Sequence, residues 1–461
     1  MSAETIVALV HLGCARNLID SELILARLAE EGCRVSGDVQ GADIAVLNTC
    51  SFIGPARAES ENAIRSLVAR KRRGELSAVV VAGCLVQRFT HQLEQDFPGV
   101  DLFAEISDYR ALARAVRDLG SGASVPRYLS AGGLREPVRE GARLLSTPGS
   151  YAYLRISHGC DHTCAFCAIP SIRGPHRSKT ADVLVDEVHE LVGAGVKELV
   201  LVAEDSTAWG RDHGRELPDL VEALAEVEGE HRLRVMYAYP NNFPWRLTTL
   251  LREHPRVIPY LDIPVQHVAT RVLRRMRRAG SGDQVRRILD RLREEVPGIT
   301  LRTTLLVGFP GETDEDVAEL CEFVRAYGLG RMGAFPYSHE EGTPAFELED
   351  LVPEEIVTER CERVLAARDE VLAASQAAQV GTEVELLVDE LHPAPSNGIG
   401  AGRAEARLVG RTSCDAPEVD PFVAVSGIEL AAIAVGDRIR ARIVSVEDGA
   451  GGFALVGRPV E

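Results

Sequence analysis

Short apolar runs alternating with amphipathic stretches, once near the start of the chain and again from Tyr151, constrain its fold more than any other feature. In the first series the runs fall at 6–11, 42–48, 78–82 and 100–106. Such alternation predicts consecutive βα units and a parallel sheet. The second series has six runs, at 151–156, 196–203, 233–239, 257–263, 300–307 and 332–337. Helical patterns lie between them, including 183–193, 272–294 and 316–327, and a last helix over 357–379 closes the set. Six βα units fall short of the eight that close a TIM barrel, so the expectation is an open (βα)6 partial TIM-type barrel. Its open side could admit a large substrate.

Residues 119–149 are rich in Gly, Ser, Pro and charge without periodicity, which reads as an interdomain connection. After Gly381 the pattern changes to short β-prone runs at 384–388, 406–409, 422–425, 438–446 and 453–456, separated by Gly, Pro and Asp. They predict a small antiparallel β-barrel, with the insertion HPAPSNGIGAG as an exposed loop. At 461 residues the chain suits two or three cores. The expected α/β organisation is an N-terminal parallel-sheet βα domain over 1–118, a linker over 119–145, the partial barrel over 146–377 and the β-barrel over 378–461.

An apolar fraction of 45% with 26% charged residues is a globular balance. The opening MSAETIVALVHLGC has no basic leader, and the longest apolar stretch, around 78–86, is far too short to span a bilayer. The expectation is a cytoplasmic protein without a membrane partner. A net charge of −18 disfavours a phosphate backbone and suits a basic protein partner.

Ten cysteines in such a chain should be reduced, which turns attention to metal binding or catalysis. Cys160, Cys164 and Cys167 stand in GCDHTCAFC, on the loop after the first strand of the second series. Three thiolates there can face one iron–sulfur cluster and leave one iron free for a small molecule. The alternative is a zinc site closed by His158, His162 or His176. Cys14, Cys50 and Cys84 are far apart in sequence, but each follows an apolar run: IVALVHLGC, ADIAVLNTC and AVVVAGC. In a parallel sheet the strand-to-helix loops share one edge, so these three should converge beside Gly13, Asn48, Thr49 and Gly83. Otherwise they are three unrelated buried thiols. Cys33, Cys321, Cys361 and Cys414 lack such company, and Cys321 and Cys361 read as packing residues.

At these residues the sequence resembles the methylthiotransferase family of radical S-adenosylmethionine enzymes, nearly end to end. C-x3-C-x2-C is the hallmark of that superfamily. HLGCARN, LNTCSFI and AGCL resemble the family's auxiliary-cluster motifs, and the C-terminal segment resembles its TRAM domain. The stretches AEDSTAWG, YLDIPVQH, LRTTLLVGFPGET, YSHEEGTPA and GRTSCDAPEVD resemble the branch that modifies an aspartate of small-subunit ribosomal protein twelve. The sequence departs from that branch's pattern at Glu204, where an amide is expected, and at His339, where proline is common.

The resemblance implies two [4Fe–4S] clusters, one on Cys160, Cys164 and Cys167 and one on Cys14, Cys50 and Cys84. It further implies reductive cleavage of S-adenosyl-L-methionine to a 5′-deoxyadenosyl radical, hydrogen abstraction from the aspartate β-carbon, and delivery of a methylated sulfur from the second cluster. No protein acid or base is implied as catalyst. Phe166, Glu204, Gln266, Arg302 and Gly308 are the implied cofactor-binding residues, although Arg302 could instead pair with a carboxylate, Gln266 cap a turn and Gly308 permit a bend. Implied partners are the ribosomal protein, free or in the subunit, and an electron donor such as flavodoxin or ferredoxin.

The nearest rival is a transfer-RNA adenosine methylthiotransferase of the same family. From residue 381 onward, 13 acidic against 7 basic residues disfavour RNA. The RRMRR run at 274–278 reads as a solvated helix face. A non-catalytic iron–sulfur or zinc protein is a third reading, disfavoured because closed four-ligand sites serve structure better.

Overall fold

The computed structural model describes residues 4–133, 135–278, 280–393, 406–449 and 452–460. The N-terminal sheet has six parallel strands, ordered Arg34–Ser36, Ile6–His11, Ile44–Thr49, Ala78–Gly83, Leu102–Ala104, Tyr128–Leu129. The first and last of these, two or three residues long, are too short to show periodicity. Tyr128–Leu129 adds to the sheet from within the stretch that reads as a connection, pairing Tyr128 with Phe103. Strand order reverses between Ile6–His11 and Ile44–Thr49, which opens a crevice beyond their C-terminal ends.

The central sheet is an open partial barrel of six parallel strands in chain order: Tyr151–Arg155, Glu198–Val202, Arg232–Val235, Val257–Asp262, Thr300–Val307 and Met332–Pro336. Both faces of its first two strands are buried, as parallel sheets require. Ala152, Leu154, Leu199 and Leu201 pack with the surrounding helices. Tyr151, Tyr153, Val200 and Val202 turn the other way and share one core with Ile19, Leu23 and Ile24 of the N-terminal helix Ala15–Glu30.

The single helix expected over 272–294 is two helices, Thr270–Arg275 and Gly282–Glu295. Arg277 has φ 50°, and Ser281 caps the second helix, its Oγ accepting from Gln284 N at 3.3 Å. This break also corrects the solvated-face reading of RRMRR. Arg278 turns inward, is buried, and stacks 3.9 Å from the Tyr239 ring centre.

The C-terminal strands Glu383–His392, Arg407–Arg411, Val423–Ser426, Arg438–Gly449 and Gly452–Pro459 close a five-stranded barrel. Four pairings are antiparallel, but Val423–Ser426 pairs parallel with Gly452–Pro459. An odd number of strands cannot alternate direction around a closed ring, so one parallel pair is unavoidable. Most of the HPAPSNGIGAG insertion lies outside the described residues.

The segment 411–420 fastens the barrel beneath the partial barrel. Arg411 pairs with Glu198 (3.2 Å) and Asp389 (2.6 Å), Arg331 with Asp415 (2.8 Å), and Tyr260 Oη donates to Asp420 (2.6 Å). Among the described residues no helix is long and apolar enough to cross a membrane.

Candidate functional site

Cys50 and Cys84 directly follow the strands Ile44–Thr49 and Ala78–Gly83, and Cys14 stands three residues beyond Ile6–His11, all at one edge of the N-terminal sheet. The thiols lie close enough to act on one another electrostatically, Cys50 with Cys84 and Cys14, and Cys84 with Cys14. Two left-handed glycines make this possible. A Cβ on Gly13 (φ +111°) would sit 2.9 Å from Cys50 Cβ, and one on Gly83 (φ +98°) 2.3 Å from Asn48 Oδ1 and 2.8 Å from Thr49 O. Burial pushes the Cys50 thiol up to about 11 and raises Cys84. It acts the same way on Cys14, but Arg16 and Arg173 outweigh it and hold that thiol below its ordinary value.

Cys160, Cys164 and Cys167 occupy the loop between the short strand Ser157–His158 and the helix Ile169–Arg173. Cys160 N donates to Gly174 O (3.0 Å), Cys167 N to Cys164 O (3.2 Å), and Ala165 N to Met276 O (2.7 Å). These bonds curl the loop so that Cys160 acts electrostatically on both Cys164 and Cys167. Burial pushes Cys160 up to about 12 and Cys167 to about 11. All three line an open cleft.

Among the described residues no three His, Cys, Asp or Glu side chains converge on a single-ion site. The histidines that could close a zinc site are committed elsewhere. His162 Nε2 lies 2.7 Å from Asp205 Oδ2 and its ring stacks 3.7 Å from Tyr239, His176 Nε2 lies 3.0 Å from Ser178 Oγ, and His158 faces Glu140 at 3.8 Å. Two soft three-thiol sets, each without a fourth side chain, are the donor chemistry of iron–sulfur clusters with one open iron. The glycine-lined approach at Cys14 and Cys84, and the buried unpartnered Asn17 Oδ1, Asn48 Oδ1 and Arg173 Nη1 there, fit such a group.

Arg16, two residues beyond Cys14, joins the sets. It bonds the Cys14 thiol, donates through Nη1 to Ala203 O (3.0 Å), approaches Glu204 (3.9 Å) and stacks 5.2 Å from the Tyr237 ring centre; Arg16, Glu204 and Tyr237 line the Cys160 cleft.

Comparison with known proteins decides the family. Residues 154–324 match the Radical SAM superfamily, 6–105 the Uncharacterized protein family UPF0004 and 380–460 the TRAM domain. The chain is 39% identical to the ribosomal protein uS12 methylthiotransferase RimO of Trichlorobacter lovleyi, covering 99% of this chain and 98% of the relative. It is 37% identical to the RimO of Geobacter sulfurreducens, covering 99% of each. The chain belongs to the RimO family of methylthiotransferases. Among solved structures, the radical S-adenosylmethionine methyltransferase TsrM from Kitasatospora setae shares the fold, with TM-score 0.53 and 16% identity over 74% of this chain and 77% of that one.

The residues expected to bind cofactor in this RimO-family chain divide by position. Phe166, Glu204 and Gln266 line the cleft. Arg302 lies outside its lining, donating to Asp262 Oδ1 (3.1 Å) and facing Asp420 (3.5 Å), and Gly308 N donates to the carboxylate of Glu312 (3.0 Å), where a Cβ would meet a Val357 methyl at 2.4 Å. Arg16, Arg173, Tyr237, Tyr239 and Arg278 escaped sequence reasoning. Arg16 sits inside HLGCARN, but only the docking of two sheets reveals what it reaches.

Proposed function

We propose that the chain transfers a methylthio group to the β-carbon of an aspartate of ribosomal protein uS12. The supporting observation is the pair of three-thiol sets joined by Arg16 at one cleft, in a chain that aligns with RimO relatives over nearly its whole length. In this reading Cys160, Cys164 and Cys167 hold one [4Fe–4S] cluster and Cys14, Cys50 and Cys84 a second. When bound, the clusters and S-adenosyl-L-methionine supply the electron, the carbon-centred radical chemistry and the sulfur, and the protein supplies orientation. Phe166, Glu204 and Gln266 hold S-adenosyl-L-methionine in the cleft. Arg302 supports the floor through Asp262, which accepts from Tyr237 N at 3.2 Å, and Gly308 shapes the neighbouring strand end. No side chain acts as general acid or base.

The net charge of −18 suits a basic ribosomal protein and disfavours transfer RNA. An electron donor such as flavodoxin or ferredoxin supplies the reducing electron, and the reaction is cytoplasmic. The test is anaerobic: protein reconstituted with iron and sulfide receives dithionite, S-adenosyl-L-methionine and either uS12 or transfer RNA. A mass gain of one methylthio group on uS12, with 5′-deoxyadenosine, is expected. Modified transfer RNA beside untouched uS12 moves the substrate to the rival reading. A fully loaded protein that makes no 5′-deoxyadenosine refutes the radical reaction.

A further inference from the structure

Arg173 belongs to the central unit by sequence, at the end of the helix Ile169–Arg173 that follows the Cys160 loop, yet its guanidinium lies at the N-terminal thiols. Nη2 donates to Cys84 Sγ at 3.3 Å. The side chain is only 4% exposed, and the same Nη2 lies 3.0 Å from Asp20 Oδ2. Asp20 is itself fixed by Arg135 (2.7 Å) and Arg155 (2.8 Å), so Arg173 has little freedom to turn away. Its Nη1 is buried with no hydrogen-bond partner in the protein. Leaving a charged donor unsatisfied in the interior is costly, and a guanidinium held this rigidly is arranged for an acceptor that the polypeptide does not provide.

We propose that Arg173 is a positioning residue for the auxiliary centre, its Nη1 donating a hydrogen bond to a sulfur of the cluster carried by Cys14, Cys50 and Cys84. This rests on the cluster assignment of the proposed function. Hydrogen bonds and positive charge at the sulfurs raise a cluster's reduction potential. The central unit therefore sets the potential of a centre whose ligands all come from the N-terminal unit. Arg16 makes the reciprocal connection, running from Cys14 into the central cleft.

The test uses full-length protein in which Cys160, Cys164 and Cys167 are alanine, so that reconstitution fills only the N-terminal site, with arginine labelled by ¹⁵N. Electron–nuclear double resonance on the reduced cluster should show a guanidinium ¹⁵N coupling and an exchangeable proton. In the Arg173→Lys variant that coupling should disappear or fall to what Arg16 contributes, and the midpoint potential should move lower at unchanged iron and sulfide content. A fully loaded cluster with the same ¹⁵N coupling and potential in both proteins overturns the role of Arg173. Absence of any guanidinium ¹⁵N coupling to the loaded cluster in the parent protein overturns it without reliance on the folding of the variant. If the parent takes up no four-iron cluster, the cluster assignment itself fails, and this inference with it.

Discussion

Replacing Glu198 by Gln should loosen the C-terminal barrel from the partial barrel. Glu198 is buried on the second central strand and accepts from Arg234 Nε at 2.7 Å and from Arg411 Nη1 at 3.2 Å. Burial alone would raise its pKa, but the two guanidiniums reverse this and hold the carboxyl at about 2, against an ordinary 4.5. At 1.36 kcal/mol per pH unit that depression corresponds to roughly 3 kcal/mol. Removing one member of a buried pair gives a similar figure, about 3–5 kcal/mol, because the opposing guanidiniums stay buried. The sign follows from the depressed value. The contribution is complete above about pH 4.5 and is lost as pH falls towards about 2. Hydrogen exchange in Arg407–Arg411 and Val423–Ser426 reads the opening free energy where Arg411 leaves the core. The expected result is a loss of roughly 3 kcal/mol at pH 7 and a flatter acid limb in the variant. Exchange that differs by less than about 1 kcal/mol, or an unchanged acid limb, would refute the reasoning.

Cys50→Ala and Cys164→Ala should each leave about half of the reconstituted iron and sulfide, and the double variant almost none, as measured by metal analysis. Gly83→Ala should cost roughly 3 kcal/mol or more in chemical denaturation, because its Cβ would meet Asn48 Oδ1 at 2.3 Å; Gly32→Ala, with a similar φ of +82° but nothing within 4 Å, should cost only about 1–2 kcal/mol. Asp20→Asn should destabilise the protein by roughly 3–5 kcal/mol, since Arg135, Arg155 and Arg173 lose a shared, fully buried counter-charge; denaturation curves that superimpose on those of the parent contradict this.

The two parallel sheets were legible because buried strands leave uninterrupted apolar runs, and the convergence of Cys14, Cys50 and Cys84 because each follows a strand at the edge where loops meet. What escaped depends on contacts between distant parts of the chain. RRMRR reads as one charged helix face, yet the turn at Arg277 separates Arg275, which pairs with Asp350 at 2.6 Å, from Arg278, whose Nη1 lies 3.5 Å from Cys164 Sγ. Arg173 follows the Cys160 loop by only six residues from Cys167, but its partner Cys84 belongs to the other sheet. Arg302 ends under the cleft rather than on its wall, because a carboxylate from the C-terminal barrel, Asp420, reaches the central strands from beneath.

The cleft wall itself carries backbone strain. Tyr237 (φ +59°) and Gln266 (φ +71°) are non-glycine residues in the left-handed region, at the ends of neighbouring strands and both facing the Cys160 loop. Each such residue costs about 1–3 kcal/mol and persists only where its surroundings over-determine it. They do so here. Tyr237 N donates to Asp262 Oδ2 (3.2 Å), and Gln266 is fixed on both sides, its N–H on Thr304 O (2.9 Å) and its carbonyl accepting from Leu306 N (2.7 Å). Asp262 is in turn held by Arg302, and Arg302 by Asp420 of the barrel. A chain of contacts thus runs from the C-terminal barrel to a strained residue beneath Arg16, the side chain that joins the two thiol sets. The barrel helps to hold the cleft in its strained form, which explains why a module far from the cysteines is fastened by buried ion pairs rather than by a loose linker.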